Sequence, residues 1–242
     1  MTAEKRLLIY MHIPKTGGTT LKNIIKKQYH SKEVWFHMEK DMIPKLKEKR
    51  KIDQLKCVGG HCWYGLHEYF KRPYQYFTIL RNPIDRIVSE YYYILRRPHH
   101  KAYPQVQNMS LMEFIHHFPL KSSNQQTRRI SGCIHEPDLD LAKKNLQNNF
   151  TVAGLSEMFD ESIFLMKKTF NWGDISYSKE NVTNNRPSVT DMPKDILSEL
   201  EKRNEMDLEL YTFTKELLAV KLESLDSDSK QELEMFKAGK QD

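Results

Sequence analysis

Four short runs of apolar residues stand out along the chain, each about as long as a β-strand. They cover Leu7–Ile13, Gln54–Val58, Tyr76–Leu80 and Phe150–Leu155, and the second run is the least distinct. Runs without polar alternation are typical of strands buried on both faces, as in a parallel sheet. Helical spacing follows the first, third and fourth runs, at Leu21–Gln28, Ile84–Tyr91 and Ile163–Lys167. The alternation predicts a three-layer α/β fold, with a central parallel sheet flanked by helices.

The segment between the third and fourth runs has a different pattern. From Pro98 to Pro119 it is rich in histidine and proline and contains short helical phrases, one of them with a capping box formed by Ser110 and Glu113. We expect an insertion at about residues 98–120, near the ligand-binding edge of the sheet. The polar cluster Asn124–Arg128 that follows either binds the acceptor or completes the active site, or it is a capped helix start with Arg128 on its face.

The last part of the chain is helical in pattern. Apolar residues recur at three- and four-residue steps from Pro193 to Leu225, whereas residues 226–242 are polar and are expected to fray. No internal repeat and no low-complexity linker divides the sequence. We therefore predict a single domain over residues 1–242.

Composition and charge restrict the kind of partner. A chain of 242 residues, 39% hydrophobic and 29% charged, is long enough for one core and is neither fibrous nor disordered in composition. The net charge of +6 suits an anionic partner. The most basic stretch, Lys45–Lys56, alternates lysine with acids at helical spacing and contains no aromatic residue, which favours a solvated helix face over a nucleic-acid surface. No nucleic-acid partner is predicted.

Other site classes lack a signal. The cysteines Cys57, Cys62 and Cys133 form no C-x-x-C pair. The histidine pairs His99–His100 and His116–His117 are adjacent rather than one helical turn apart. Neither pattern indicates a disulfide framework or a metal site, and we expect no metal. No run reaches the roughly 18 apolar residues of a membrane span and no signal peptide is evident, so we expect a soluble, cytoplasmic protein without a transmembrane segment.

The stretch HIPKTGGTT, residues 12–20, follows the first predicted strand and indicates an anion-binding turn. It contains Lys15, Thr16, Gly17, Gly18, Thr19 and Thr20. Glycines let the backbone wrap around a phosphate, and the N–H groups at the start of the next helix donate to it. Both the P-loop of nucleoside triphosphatases, with its lysine after the last glycine, and the G-x-G-x-x-G dinucleotide pattern are missing. Lys15 therefore approaches from the strand side, where it can neutralise a leaving group; the alternative is a capping turn with a surface lysine.

A second strand, turn and helix unit, LRNPIDRIVSEYYY, repeats this layout after the third apolar run. Arg81 stands at the carboxyl end of the strand, where ligands of open parallel sheets bind, and Ser89 lies two turns into the helix. A guanidinium fork with a hydroxyl beside it suits a second phosphate. The alternative is a surface ion pair, Arg81–Asp85 or Arg86–Glu90. Two anion sites on neighbouring strand ends indicate a ligand with phosphates at both ends of a nucleoside.

With these motifs the sequence resembles sulfotransferases that use 3′-phosphoadenosine 5′-phosphosulfate (PAPS). HIPKTGGTT resembles their 5′-phosphosulfate loop, and LRNPIDRIVSEYYY their 3′-phosphate motif. Further phrases, VGGHCWYGLHEYF, NQQTRRISG, ENVTNNRP and MDLELYTF, occur in the order shown by the carbohydrate group, which includes the heparan and uronyl 2-O-sulfotransferases. The resemblance spans about Leu7–Leu218. Golgi members carry a membrane anchor that this shorter sequence lacks, which fits a soluble, bacterial-type member.

The resemblance implies a P-loop-like fold, a cofactor and a set of ligands for it. The 5′-phosphosulfate would be bound by Lys15, Thr16, Gly17, Gly18, Thr19 and Thr20. The 3′-phosphate would be bound by Arg81 and Ser89, and Arg186 would belong to a late loop that closes over the cofactor. The implied reaction moves a sulfuryl group from PAPS to a hydroxyl acceptor, a saccharide, and leaves 3′-phosphoadenosine 5′-phosphate (PAP).

Such a transfer requires alignment, charge neutralisation at the leaving phosphate and removal of a hydroxyl proton, by analogy with phosphoryl transfer. Lys15 would supply the neutralisation. His61 in GGHCWYG is the expected base, because the preceding glycines let an acceptor approach and imidazole titrates nearest neutrality. The 2-O-sulfotransferases resemble this sequence in having a histidine in the matching phrase. His12, His67 and Glu68 are the other candidates.

Two other classes of function stay open from the residues alone. One is a kinase-like, nucleotide-dependent phosphotransferase, against which the missing P-loop lysine and the lack of an obvious magnesium aspartate count. The other is a non-catalytic binder of nucleotides or glycans. Mutation of His61 separates them, because only a catalyst loses turnover while keeping its affinity for the donor.

Overall fold

The computed structural model describes residues 6–36, 52–178 and 188–239. Arg186, the phrase ENVTNNRP and most of Lys45–Lys56 lie outside these ranges, so the predictions made for them are not addressed by the structure. Five described strands form one sheet: β1 (Leu7–Met11), β2 (Val34–Phe36), β3 (Cys57–Gly60), β4 (Tyr74–Leu80) and β5 (Phe150–Leu155). All their pairings are parallel, in the order β2-β3-β1-β4-β5.

Helices surround this sheet. Those described are α1 (Gly18–Gln28), α2 (Pro83–Leu95), α3 (Tyr103–Val106), α4 (Leu111–His117), α5 (Pro119–Ser122), α6 (Gln125–Ser131), α7 (Leu139–Asn149), α8 (Phe159–Phe170), α9 (Lys194–Arg203), α10 (Glu205–Glu223) and α11 (Ser227–Ala238). Short 3-10 turns cover Ser31–Glu33, Ile52–Gln54, Leu66–Tyr69, Ser156–Met158 and Val189–Asp191. The predicted α/β fold, a central parallel sheet flanked by helices, is confirmed.

The sheet is the centre of the main core. Every residue of β1 is buried, as expected for a strand that pairs on both sides and is covered on both faces. Helices α7, α8 and α10 pack on β5 at one edge of the sheet. A second hydrophobic cluster lies on α2 and includes Val106 of α3 and Phe114 of α4, both fully buried. The predicted insertion of residues 98–120 thus packs against α2.

The capping box predicted in that segment is confirmed. The Glu113 backbone N–H donates to Ser110 Oγ at 3.2 Å, and the Ser110 N–H donates to the Glu113 carboxylate at 2.7 Å. The two bonds satisfy backbone donors that a helix start leaves without partners. They fix the first turn of α4.

The prediction that the tail frays from Asp226 is wrong. Residues Ser227–Ala238 form α11, and the Asp226 carboxylate caps it by accepting the Ser229 N–H at 2.7 Å. Leu233 is 7% exposed, and Lys237 pairs with Glu161 of α8 at 3.0 Å. A tail that looks polar overall is held by one buried leucine, a cap and ion pairs to a neighbouring helix.

Candidate active site

Three candidate residues follow three neighbouring strands of the sheet. Lys15 follows β1, His61 follows β3 and Arg81 follows β4, and β1 lies between β3 and β4. The carboxyl ends of parallel strands share one edge of a sheet. The topology therefore brings three predicted roles to the same edge: the lysine that would neutralise the leaving group, the base, and the arginine that would bind the 3′-phosphate.

The loop after β1 has the backbone of an anion cradle. Lys15 and Gly17 both have left-handed conformations, with φ of 70° and 82°, and Gly17 occupies the N-cap of α1. That helix has no side-chain cap and no acidic residue in its first turn. Its leading N–H groups are therefore available to a phosphate or sulfate group, which the helix dipole also favours.

The side chains around this loop keep it compact. A Cβ on Gly18 would lie 1.8 Å from Nε2 of His12, and one on Gly17 would lie 2.8 Å from the ring of Phe159. Both positions therefore require glycine. The Thr16 hydroxyl is buried and donates to the Ile13 carbonyl at 2.9 Å, so it stabilises the loop from within. Thr20 is buried as well, whereas Thr19 is exposed.

The amine of Lys15 rests on an aromatic ring. Its Nζ lies 3.7 Å from the ring centroid of Tyr93 on α2, at cation–π distance. Burial lowers the pKa of Lys15 to about 8; Glu90 opposes the shift, and the positive charge of Arg81 adds to it. The amine is therefore protonated at neutral pH and loses its proton slightly above it.

The guanidinium of Arg81 donates hydrogen bonds to other groups of the protein. Its Nε donates to Asp85 Oδ2 at 2.7 Å, and its Nη2 forms an ion pair with the same carboxylate. Its Nη1 donates to the backbone carbonyl of Lys15 at 2.9 Å. The Arg81–Asp85 pair, which the sequence left as an alternative, is thus present, and it also joins the two predicted motifs.

Ser89 lies between these contacts. Residues four apart share one side of a helix, so Asp85, Ser89 and Tyr93 form a row along α2. Asp85 contacts Arg81 at one end of the row, and Tyr93 contacts Lys15 at the other. Ser89 is 4% exposed in the middle. Its role in binding a 3′-phosphate, like that of Arg81, stays a prediction.

The imidazole of His61 lies beside a second histidine. Its ring centroid is 4.5 Å from that of His12. Burial and the positive charge of Arg129 lower the pKa of His61 to about 4, so the ring is neutral at pH 7. Burial also holds the pKa of His12 well below its usual value, and its buried Nδ1 has no hydrogen-bond partner among the described residues. The site thus presents two neutral imidazoles next to the anion cradle.

The other candidate bases lie elsewhere. The His67 ring stacks on Tyr74 at 4.2 Å, and its Nδ1 is 3.1 Å from the Tyr76 hydroxyl. Tyr74 is the first residue of β4, so His67 lies towards the amino ends of the strands, and Glu68 beside it is exposed. Neither residue is at the edge that carries Lys15.

Sequence reasoning missed two buried carboxylates. The first, Asp207 of α10, accepts the N–H groups of Gln126 and Thr127 at 3.0 and 2.7 Å, and the Thr127 hydroxyl at 2.7 Å. The cluster Asn124–Arg128 thus forms a capped helix start, and its role in acceptor binding or in completing the active site stays a prediction. The Gln126 side chain also accepts the Arg81 N–H at 3.0 Å and donates to the Arg81 carbonyl at 2.8 Å, which ties α6 to the end of β4.

The second is Glu90 of α2. It is 7% exposed and pairs with Lys121 of α5 at 3.0 Å. Burial opposes its charge, yet the charges of Lys121 and Arg86 keep its pKa below the ordinary value. Glu90 therefore places a buried negative charge among several positive ones. From the sequence, Glu90 was only the partner of Arg86 in a surface pair. Nothing in its spacing indicates that it would be buried beside Lys121.

Comparison with known proteins supports the interpretation of these motifs. The sequence pattern described as "Sulfotransferase family" matches residues 1–214. The chain belongs to the sulfotransferase family. The predicted resemblance is thus confirmed.

Several members of this family have related sequences. Mouse heparan-sulfate 6-O-sulfotransferase 3 is 26% identical over 87% of this chain and 57% of its own length. Human heparan-sulfate 6-O-sulfotransferase 2 is 26% identical over 93% of this chain and 47% of its own. The chain spans about half the length of these curated relatives. Both are named for 6-O-sulfation, whereas the motifs had suggested the 2-O group.

One solved structure shares the fold. The sulfotransferase from Alicyclobacillus acidocaldarius superposes with a TM-score of 0.50 and 14% identity, over 88% of this chain and 96% of that protein. At this level of identity the likeness concerns the fold alone. It agrees with the parallel sheet and flanking helices described above.

Three further findings concern the described ranges 6–36, 52–178 and 188–239. No group of three or more histidine, cysteine, aspartate or glutamate residues there is arranged to hold a metal ion. Within the same ranges, no helix is both long enough and apolar enough to cross a membrane. All three cysteines are thiols.

Proposed function

We propose that this sulfotransferase-family chain is an enzyme that transfers the sulfuryl group of PAPS to a hydroxyl of a saccharide. The observation that carries the proposal is the meeting of Lys15, His61 and Arg81 at the ends of β1, β3 and β4. An anion cradle with a charged lysine lies next to a neutral imidazole there. Transfer of an anionic group to a hydroxyl needs both.

The residues of the first two motifs would hold the nucleotide. When bound, PAPS supplies an activated sulfuryl group attached to a good leaving phosphate. The N–H groups at the start of α1, around Gly18, would bind the 5′ end, and Ser89 with Arg81 would face the 3′-phosphate. Lys15, held at the mouth of this loop, would place its positive charge where negative charge develops on the leaving oxygen. Arg186 is proposed as a further ligand on the resemblance alone.

His61 would act as the base. The lowered pKa keeps the ring neutral at pH 7, so a nitrogen lone pair is available to accept the proton of the acceptor hydroxyl. A ring that titrates near pH 4 is a weak base, but a bound polyanion beside it favours the imidazolium form. Bound PAPS and a protonated His61 thus stabilise each other electrostatically.

The acceptor class follows from the relatives. Both are named heparan-sulfate 6-O-sulfotransferases, so a 6-hydroxyl of a heparan-type saccharide is the first acceptor to test. The net charge of +6 is compatible with such an anionic glycan. The cytoplasmic location stays a prediction from the sequence, and cell fractionation with an antibody to the native chain tests it.

Calorimetric titration with PAP, beside ATP and adenosine 5′-phosphate, tests the cofactor assignment. Selective binding of PAP is expected, because the ligand would carry phosphates at both ends of the nucleoside. Transfer of radiolabelled sulfate from PAPS to 6-O-desulfated heparin then tests the reaction. Preferential binding of ATP, with turnover that requires magnesium, would instead support the phosphotransferase.

The variant His61→Asn separates a catalyst from a binder. We expect it to lose at least about a hundredfold in kcat while binding PAP as tightly as the parent, because general-base catalysis contributes on that order. His67→Asn is the matched control, since that histidine lies towards the other edge of the sheet. Equal turnover by His61→Asn and the parent would remove His61 from the mechanism.

A further inference from the structure

The backbone of Lys15 has an uncommon conformation and is contacted by a residue of the other motif. Its φ of 70° lies in the left-handed region, which a residue with a Cβ adopts only when its surroundings impose it. The Lys15 carbonyl accepts a hydrogen bond from Arg81 Nη1 at 2.9 Å. A charged donor gives a strong bond to a carbonyl, so Arg81 is placed to maintain this conformation.

Asp85 in turn fixes the guanidinium. Its Oδ2 accepts both Nε and Nη2 of Arg81, which leaves Nη1 directed at the loop. The Arg81 backbone is also fixed, because its N–H and its carbonyl both bond to the Gln126 side chain. Side chain and main chain of Arg81 are thus both restrained by contacts within the protein. Such restraint is typical of a residue that supports a site from behind.

We propose that the Arg81–Asp85 pair is a clamp on the anion cradle, and that Asp85 is a positioning residue that acts through Arg81 on the Lys15 backbone. The inference rests on the proposed function only in naming the nucleotide that the cradle binds. It gives Arg81 a task in addition to the predicted contact with the 3′-phosphate. The clamp supports the loop that would bind the 5′ end.

The two assignments differ in which nucleotides they affect. A clamp on the cradle changes the binding of any ligand with a 5′-phosphate, so loss of Asp85 should weaken the binding of both PAP and adenosine 5′-phosphate. Loss of a residue that contacts only the 3′-phosphate affects the binding of PAP alone. If Asp85 only competes with that phosphate for Arg81, its removal should strengthen PAP binding.

The experiment compares Asp85→Asn with Asp195→Asn, which removes an exposed acidic residue from the first turn of α9. Hydrogen exchange of the peptide covering residues 12–20 is measured without nucleotide, and both nucleotides are then titrated by calorimetry. We expect Asp85→Asn to exchange about tenfold faster in that peptide and to bind both nucleotides about tenfold more weakly, the scale of one charge-assisted hydrogen bond. Asp195→Asn should match the parent.

Conservative rescue is a second arm. Asp85→Glu keeps a carboxylate within reach of Arg81, so its exchange should fall between that of the parent and that of Asp85→Asn. Unchanged exchange in Asp85→Asn, a loss confined to PAP, or a gain for PAP would each overturn the clamp. If the parent binds neither nucleotide, the proposed function fails, whereas the exchange measurement still decides the clamp.

Discussion

Replacing Gly18 by alanine tests how tightly the anion cradle is packed. The added Cβ would lie 1.8 Å from His12 Nε2 and 2.3 Å from two ring carbons, so the imidazole has to move. It has little room, because His61 lies 4.5 Å away on one side and Tyr10 stacks at 5.5 Å on another. Overpacking of this kind costs about 3 kcal/mol. Alanine regains about 1 kcal/mol of helix propensity at the start of α1, which leaves a net loss of about 2 kcal/mol.

Urea denaturation of the parent, Gly18→Ala, His12→Ala and the double variant measures this loss. The double variant removes the obstructing ring, so we expect a favourable coupling of about 1–2 kcal/mol between the two changes. Gly18→Ala should also lower kcat, since the displaced ring presses on His61. If Gly18→Ala is as stable as the parent, or if the two changes are additive, the cradle is not packed as argued.

Three further changes address the charges and the supports of the site. We expect kcat/KM to fall above about pH 8, where Lys15 loses its proton, and below about pH 4, where His61 gains one. In Lys15→Arg the fall above about pH 8 should disappear, which the pH profile of kcat/KM of that variant checks. Tyr93→Leu should lower kcat about fivefold through loss of a cation–π contact worth about 1 kcal/mol, and Tyr93→Phe should restore it, with Tyr92→Leu as the control for packing. Asp207→Asn should lower the free energy of unfolding by about 2 kcal/mol in urea titrations, because a buried carboxylate accepts three hydrogen bonds; an unchanged midpoint would contradict this.

The strands show what hydrophobic pattern can and cannot predict. The run Phe150–Leu155 coincides with β5, because a buried strand between polar helix ends is visible as uninterrupted apolar sequence. The second predicted run, Gln54–Val58, overlaps the observed strand only at Cys57 and Val58. The strand is Cys57–Gly60 and ends in two glycines. A Cβ on Gly59 would lie 2.4 Å from the Tyr10 carbonyl oxygen, so this position of the strand requires glycine. A strand that needs glycine for its close approach to β1 is not visible as a hydrophobic run. β2, with three residues, is too short to give any periodic signal.

The same division holds within the site. Signals that act over a few residues were readable, among them the capping box of Ser110 and Glu113 at the start of α4. Contacts between distant segments were not, because no local spacing relates the two partners. The cap that Asp207 gives to α6 is one such contact.

The bond from Arg81 to the Lys15 carbonyl is another, and it changes how the second motif should be interpreted. An arginine at a strand end that follows an anion-binding loop looks, from sequence, like a ligand. Its donors also engage Asp85 and a backbone carbonyl, so the same residue supports the loop as well. The residue type at a strand end therefore predicts that charge is needed there, while the fold decides whether that charge meets the ligand or the protein.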